Sequence, residues 1–205
     1  MQPLQMLLDK QYSCPNGLLG RYVGSLMVRQ HKPETAWTLA QLRLTPSDHV
    51  LEIGCGAGKA LELAAQELAS GHIVGIDTSS TMVEVSRRSN APMLRQGQTE
   101  VLRADVTHLP FADMQFNKIW SIHTLYFWPD YMQAITEIGR VLKPGGLVIL
   151  TFSPGKVDAT QKSDFQIQVE KTIIPIMQQS GFTTVTLEQG PVSREYQTLA
   201  IVGQK

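Results

Sequence analysis

The apolar residues of this chain form short β-prone runs that are separated by segments with helical character. The runs predict five strands, at residues 49–53, 72–76, 99–103, 116–122 and 147–151. Helix-forming composition, or apolar residues at helical spacing, predicts helices between them, at residues 59–69, 79–90 and 130–142. This alternation of strand and helix is typical of a parallel, doubly wound α/β sheet.

The last part of the chain departs from this alternation. Residues 165–179 have a helical pattern that Pro175 interrupts, and strand-like runs follow at residues 182–188 and 195–202. A Gln-Gly-Pro turn at residues 189–191 joins the two runs. We therefore predict a mostly parallel sheet that closes with an antiparallel strand pair, unlike an ordinary dinucleotide-binding fold.

The segment before the first strand predicts two helices, at residues 18–30 and 34–44, with a break at Lys32 and Pro33. We expect the whole chain to form a single domain, in which residues 1–44 are a helical cap and residues 45–205 the α/β core. The cap covers one end of the sheet in the simpler interpretation. In the alternative, it lies over the mouth of a binding site.

Composition narrows the class of protein. With 205 residues and 42% hydrophobic content, the chain is large enough for a real core. It has no apolar run near the roughly 18–20 residues of a membrane span, and its start lacks the features of a signal peptide. We therefore expect a soluble, cytoplasmic protein.

Charge and cysteine content disfavour several kinds of partner. Eighteen basic and eighteen acidic residues give a formal net charge of zero, so no overall field attracts nucleic acid or an anionic membrane. The two cysteines, Cys14 and Cys55, are far apart, and the sequence has no C-x-x-C motif and no His/Cys cluster. We expect no disulfide and no metal site, and the oligomeric state stays open.

The most informative stretch is residues 50–59, where a strand ends in Glu52 and passes through three alternate glycines into a helix. Glycine at positions 54, 56 and 58 permits positive φ and lets a ligand approach bare backbone near the positive end of the helix. Such a turn indicates a nucleotide-type binding site.

The spacing of the turn distinguishes the nucleotide classes. The dinucleotide fingerprint G-x-G-x-x-G needs its third glycine at position 59, which is Lys59. The phosphate-binding motif G-x-x-x-x-G-K-[ST] fails at Ile53 and Ala60. An acidic residue two places before G-x-G-x-G remains, and it resembles motif I of the class I S-adenosylmethionine-dependent methyltransferases.

Three further segments resemble the same family, in the expected order: residues 75–82, 104–111 and 140–146. The resemblance covers about residues 45–203. It implies a Rossmann-like seven-stranded sheet with helices on both sides, S-adenosyl-L-methionine as the cofactor, and in-line transfer of its methyl group to an acceptor. Tight positioning of acceptor and methyl group supplies much of the rate in such a reaction.

The resemblance also implies roles for individual residues. Glu52 is expected near the amino end of the cofactor, Asp77 at the ribose, and Asp105 with Val106 at the adenine. A carboxylate can accept hydrogen bonds from both ribose hydroxyls, although Asp77 could instead favour the start of the next helix. The expected cofactor-binding residues are Glu52, Gly54, Cys55, Gly56, Asp77, Thr78, Met82, Asp105, Val106 and Ser121.

The acceptor end is predicted after the fourth strand. His123 is the histidine placed to take a proton from an acceptor, and a structural role is the alternative. Tyr126 and Trp128 suggest a partly apolar pocket for a small molecule. The other histidines, at positions 31, 49, 72 and 108, are interpreted as structural or exposed.

The sequence leaves two other functions open. A non-catalytic subunit of the same fold could bind S-adenosylmethionine or a partner protein without turnover. A nicotinamide-dependent oxidoreductase would share the core of the fold, but Lys59 and the closing hairpin oppose it. The identity of the acceptor atom cannot be deduced from the sequence.

Overall fold

The computed structural model describes residues 30–205 and, before them, residues 16, 17, 20 and 22. Most of the predicted helix at residues 18–30, and Cys14, therefore lie outside the described residues. The second predicted helix is present as α1, Lys32–Leu42, with Pro33 in its first turn. A proline is well tolerated there because the first N–H groups of a helix have no intrahelical partner.

Seven strands form one sheet in the order β3-β2-β1-β4-β5-β7-β6. Strand β7 is antiparallel to both β5 and β6, and the other neighbouring pairs are parallel. The predicted fold class, with its closing antiparallel pair, is confirmed. The strands are β1 His49–Ile53, β2 His72–Asp77, β3 Thr99–Arg103, β4 Phe116–Ile122, β5 Leu142–Phe152, β6 Thr184–Gln189 and β7 Leu199–Gln204.

Helices cover both faces of the sheet. They are α1, then α2 Lys59–Ala65, α3 Ser80–Ser89, α4 Ala91–Arg95, α5 Tyr131–Val141, α6 Asp164–Gln168 and α7 Ile174–Gln179. A short 3₁₀ helix lies at Leu125–Phe127 and a π-helical turn at Val169–Ile173. In the part of the chain that the structure describes, no helix is long and apolar enough to cross a bilayer.

The buried residues form one apolar layer on each face of the sheet. Leu51 and Ile53 belong to the layer shared with α5 and the C-terminal helices, whereas Val50 belongs to the layer shared with α1 and α2. Alternate residues of a strand point to opposite faces, so a sheet covered on both sides needs apolar residues at successive positions. This explains why the central strands read as continuous apolar runs.

Several predicted boundaries were wrong; strand β5, for example, starts at Leu142 rather than residue 147. Helix α2 ends at Ala65 rather than residue 69, and Gly71 instead packs so closely on the Asp48 backbone that a Cβ there would overlap its carbonyl oxygen. Strand β7 starts at Leu199 rather than residue 195, because Ser193 and Tyr196 pair with each other in a tight turn. Local propensity does not report such tertiary contacts.

Proline has two different effects on the helical boundaries. Asn90 ends α3 as predicted, but Pro92 then occupies the first turn of a separate short helix, α4. At Pro175, in contrast, the helical path is not interrupted. The π turn at Val169–Ile173 precedes the proline, and the chain continues directly as α7. A π turn tolerates the missing N–H by widening the hydrogen-bonding pattern.

The register of the strands locates the binding edge. Ile53, the last residue of β1, lies opposite Ile76 on β2 and Ser121 on β4. The glycine turn therefore emerges between the carboxyl ends of two parallel neighbours. The connection from β1 goes to one side and that from β4 to the other, which is the topological switch point where open α/β sheets bind ligands.

Gly58→Ala is expected to destabilise the protein much more than Gly97→Ala. Both glycines have positive φ, 81° and 73°, so each substitution carries the left-handed penalty of about 1–2 kcal/mol. Only at Gly58 would the new Cβ meet packed atoms, 2.5 Å from Asn90 Nδ2, whereas Gly97 faces open space. Overpacking should add about 1–3 kcal/mol at Gly58.

Urea denaturation of both variants measures this difference. Equal losses of unfolding free energy would contradict the packing of the glycine turn on α3.

Candidate functional site

The glycine turn is fixed by backbone hydrogen bonds and by close packing. The N–H groups of Gly54 and Cys55 both donate to the carbonyl oxygen of Ile76, at 2.8 and 2.9 Å. Gly54 has φ 73°, and a Cβ there would overlap the Thr124 side chain. Gly56, with φ 50°, faces open space instead. Glycine at position 54 is thus needed for packing, and at position 56 it leaves room beside the backbone.

Asp77 connects the glycine turn to the turn after β2. Its Oδ2 accepts from the N–H of Gly56 at 2.9 Å, and its Oδ1 accepts from the N–H of Ser79 at 2.8 Å. Burial raises the pKa of the Asp77 carboxyl, and these two backbone donors partly oppose the shift. The carboxylate is therefore held in place by the backbone on both sides.

Glu52 lines the cleft but is almost fully buried, with 3% exposure. Its Oε2 has no hydrogen-bond partner among the described residues. Burial raises the pKa of the Glu52 carboxyl to about 8, the Trp120 indole opposes the shift, and the charge of Asp77 adds to it. A buried, unsatisfied carboxyl at the wall of a cleft is a candidate partner for a positively charged group of a ligand.

Two other segments of the chain also line the cleft. Met82, in the first turn of α3, is buried and lines the cleft together with Asp105 and Val106. Asp105 Oδ1 accepts from the N–H of Thr107 at 2.9 Å, which fixes the turn after β3. These residues and the glycine turn enclose about 1170 Å³ of empty space, part of which opens to solvent.

The structure separates the predicted cofactor residues into two groups. Ser121 is fully buried, contacts the Thr124 hydroxyl and does not line the cleft. Its place is taken by the next three residues of the chain, Ile122 to Thr124. The others all line the cleft: Glu52, Gly54, Cys55, Gly56, Asp77, Thr78, Met82, Asp105 and Val106.

The two predicted acceptor residues have different positions. Trp128 lines the cleft and donates from its indole N–H to Thr124 Oγ1 at 3.3 Å. Tyr126 does not line it, and its hydroxyl donates to the backbone carbonyl of Ser153 at 3.2 Å. Phe127 lines the cleft with 47% of its surface exposed, so the aromatic wall consists of Phe127 and Trp128.

The polar segment between β5 and α6 lines a second, separate cavity. The lining residues of this cavity lie between Pro154 and Gln166, with Gln197, and none of them lines the main cleft. The segment is therefore not part of the wall of the cleft.

His123 directly follows β4, lines the cleft and has a left-handed backbone, φ 57°. Its Nδ1 is 3.3 Å from the Tyr126 hydroxyl, and its Nε2 is 3.6 Å from Glu34 Oε1. Burial lowers the pKa of His123, while the neighbouring Glu34 carboxylate opposes the shift. A non-glycine residue in this conformation costs free energy and is common at functional sites.

Two residues beside His123 were missed from the sequence. His31, which was interpreted as structural or exposed, lines the cleft with its ring centroid 4.1 Å from that of His123. Glu34 is 2% exposed and lies within 3.4 Å of His31 Nδ1. The H-x-x-E spacing around Pro33 was the available signal, because residues three apart at the start of a helix share one face.

Burial would raise the pKa of Glu34, but the neighbouring imidazoles of His123 and His31 outweigh this effect and hold the pKa well below its usual range. Glu34 is therefore a buried carboxylate between two imidazoles. His31, interpreted from the sequence as structural or exposed, lies beside this carboxylate and lines the cleft.

Comparison with known proteins agrees with this geometry. Residues 51–150, from β1 to β5, match the family described as "Methyltransferase domain". YdaC of Bacillus subtilis, an uncharacterised methyltransferase, is 28% identical over 67% of this chain and 74% of its own length. A demethylmenaquinone methyltransferase of Lactiplantibacillus plantarum is 34% identical over 58% of this chain, which spans only 51% of that protein.

A solved structure shows the same fold at low sequence identity. It is a putative methyltransferase in complex with the Trm112 methyltransferase activator of Haloferax volcanii. The match has a TM-score of 0.71 at 21% identity, and it covers 88% of this chain and 92% of the other.

Glu52→Gln is expected to stabilise the ligand-free protein as the pH rises. The folded pKa of about 8 is above the ordinary value of 4.5, so the folded state keeps a proton that the unfolded state releases. The stability from this group is fully present below pH 4.5 and is lost as the pH rises to about 8. The loss can reach about 1.4 kcal/mol per pH unit within this window.

Urea denaturation at both ends of the window tests this linkage. The Glu52→Gln variant should gain stability over the parent between them, up to about 5 kcal/mol at the full slope. Glu188→Gln, at an exposed position of β6, is the matched control and should follow the parent. Parallel pH profiles for parent and Glu52→Gln would disprove the raised pKa.

Proposed function

We propose that this chain, which belongs to the class I S-adenosylmethionine-dependent methyltransferases, binds S-adenosyl-L-methionine and transfers its methyl group to a small molecule in the cleft. The observation that supports this best is the convergence of four separate segments on one cleft at the β1/β4 switch point. They are the Glu52–Gly56 turn, Asp77, the Asp105 turn and the segment after β4.

The wall of the cleft suggests how the cofactor is held. Glu52 supplies a buried carboxyl for the ammonium group of the methionine part, and Gly56 leaves space for its approach along the backbone. Asp77 is the proposed partner of the ribose hydroxyls. Met82 offers an apolar surface and Asp105 a polar one for the adenine ring.

The cofactor brings an already activated methyl group, so the protein's contribution is mainly positioning and exclusion of water. His123 and Thr124 follow β4 and line the cleft together with Phe127 and Trp128. We infer that the acceptor binds beside Trp128. Tyr126 supports the acceptor side indirectly through its contact with His123.

The proposed acceptor is a small, partly apolar molecule. Aromatic side chains line one end of the cleft, and the formal net charge of zero does not favour a polyanionic substrate. A relative named as a demethylmenaquinone methyltransferase makes quinone-like ring compounds a reasonable first group to test.

Turnover measurements with a panel of acceptors test the proposal. Formation of S-adenosylhomocysteine that depends on an acceptor would support methyl transfer. Tight S-adenosylmethionine binding with no turnover on any acceptor would favour the non-catalytic subunit. Calorimetric titration with NAD covers the oxidoreductase alternative, which the antiparallel β7 and Lys59 oppose.

Asp77→Ala is expected to weaken S-adenosylmethionine binding by at least about tenfold, since hydrogen bonds to a charged group contribute about 1.5–3 kcal/mol. The substitution also removes the acceptor of the Gly56 and Ser79 N–H groups. Affinity alone therefore cannot separate the ribose contact from loosening of the turn.

A double cycle with an analogue lacking both ribose hydroxyls makes that separation. The parent protein should lose affinity for the analogue, whereas Asp77→Ala should bind both ligands nearly equally. If both proteins discriminate between the ligands by the same factor, Asp77 does not bind the ribose.

A further inference from the structure

Three ligand-type side chains meet at the edge of the cleft, and none of the roles proposed above requires them to be together. His31 precedes α1, Glu34 lies in its first turn, and His123 follows β4. One potential ligand atom from each of the three residues lies within 4.8 Å of those of the other two. Two imidazoles and a carboxylate are a common ligand set for divalent transition metals.

The spacing of these atoms fits one shared ion. Glu34 Oε1 is 3.4 Å from His31 Nδ1 and 3.6 Å from His123 Nε2. The ring centroids of the two histidines are 4.1 Å apart, so each ring offers a nitrogen close to the same carboxylate. Bonds from Zn²⁺ to nitrogen or oxygen are about 2.0–2.2 Å, so small side-chain adjustments complete the site.

Direct hydrogen bonds alone explain the cluster poorly. A separation of 3.6 Å is too long for a hydrogen bond, and His123 Nε2 and Glu34 Oε2 have no partner within the described part of the chain. Both residues are strongly buried, with side-chain exposures of 10% and 2%. Buried polar atoms that remain unpaired need an explanation, and a cation between them provides one.

The surroundings of His123 have the form expected around a metal ligand. While Nε2 points to Glu34, the other ring nitrogen, Nδ1, is 3.3 Å from the Tyr126 hydroxyl. The hydroxyl is in turn fixed by the Ser153 backbone. Metal-bound histidines usually bond through their second nitrogen to an oxygen, which sets the tautomer and the ring orientation.

We propose that His31 Nδ1, the Glu34 carboxylate and His123 Nε2 together bind one divalent transition-metal ion at the edge of the cleft. His31 and His123 both line the cleft, so the ion would keep an open coordination position on that side. Three protein ligands with an open position are typical of catalytic rather than structural sites. An oxygen atom of a molecule in the cleft is the ligand that suits this position.

This role changes the assignment of His123. A histidine whose Nε2 binds an ion cannot use the same lone pair to take a proton from an acceptor. The ion would instead lower the pKa of a bound hydroxyl and so favour its ionised form. Metal dependence of turnover therefore separates the ligand role from the general-base role predicted from the sequence.

Titration of the chelator-treated protein with Co²⁺, followed by visible absorption, tests the site, and displacement by Zn²⁺ gives the affinity for zinc. One equivalent should bind. Glu34→Gln, which is nearly isosteric, and His31→Ala should each weaken binding by at least about tenfold, and Tyr126→Phe by a smaller factor. Circular dichroism confirms that each variant is folded.

The matched control is His72→Ala, since His72 starts β2 at the opposite end of the sheet, with its ring 6.3 Å from that of His49. It should bind the ion like the parent. Binding that is lost in His72→Ala but retained in Glu34→Gln would place the ion elsewhere and overturn the proposal.

NMR of the unmodified protein tests the site without any variant, so that misfolding of a variant cannot affect the result. The chain has five histidines, and Zn²⁺ should shift the imidazole NMR signals of His31 and His123 strongly while leaving the other three nearly unchanged. No binding of Co²⁺ or Zn²⁺ at millimolar concentration, or equal shifts for all five rings, would disprove the site.

Discussion

The site depends on the close packing of the turn after β1 against the neighbouring strand ends. Gly54 and Cys55 donate to Ile76 on one side, and Gly54 has no room for a side chain beside Thr124 on the other. These contacts hold the ends of β2 and β4 at fixed distances from the turn. Glu52, Asp77 and Trp128, which are proposed to bind the cofactor or the acceptor, lie at the ends of β1 and β2 or in the segment that follows β4.

Two largely buried acidic side chains lie close together at the same edge of the sheet. Glu52 and Asp77 both have raised pKa values, in each case mainly because burial disfavours the charged form. Burial of a charged carboxylate costs free energy unless it is paired. A ligand with a positively charged or hydrogen-donating group in the cleft would offset this cost.

The sequence predicted the architecture well because the signals for it are local. Strands β3 and β4 have the predicted bounds, since β-prone residues between turn residues define both strands. The start of β7 was missed because the pairing of Ser193 with Tyr196 is a tertiary detail. Propensity carries no information about such contacts.

The sequence predicted some residues of the site correctly as lining the cleft and missed others. Motif positions on the turns after β1, β2 and β3 identified residues of the cleft, because the carboxyl ends of parallel strands share one edge. Ser121 was the exception, since side chains alternate along a strand and this one points into the protein. His31 and Glu34 could not be placed, because only the docking of α1 brings them to His123, some ninety residues later in the chain.

The double attachment of Asp77 has a consequence for the dynamics of binding. A carboxylate offers about four lone-pair positions, and the backbone of Gly56 and Ser79 occupies two of them. The remaining two match the pair of hydroxyls on the proposed ribose. The entropy of ordering this side chain is therefore lost during folding and not during binding, so ligand entry requires little rearrangement of the turn.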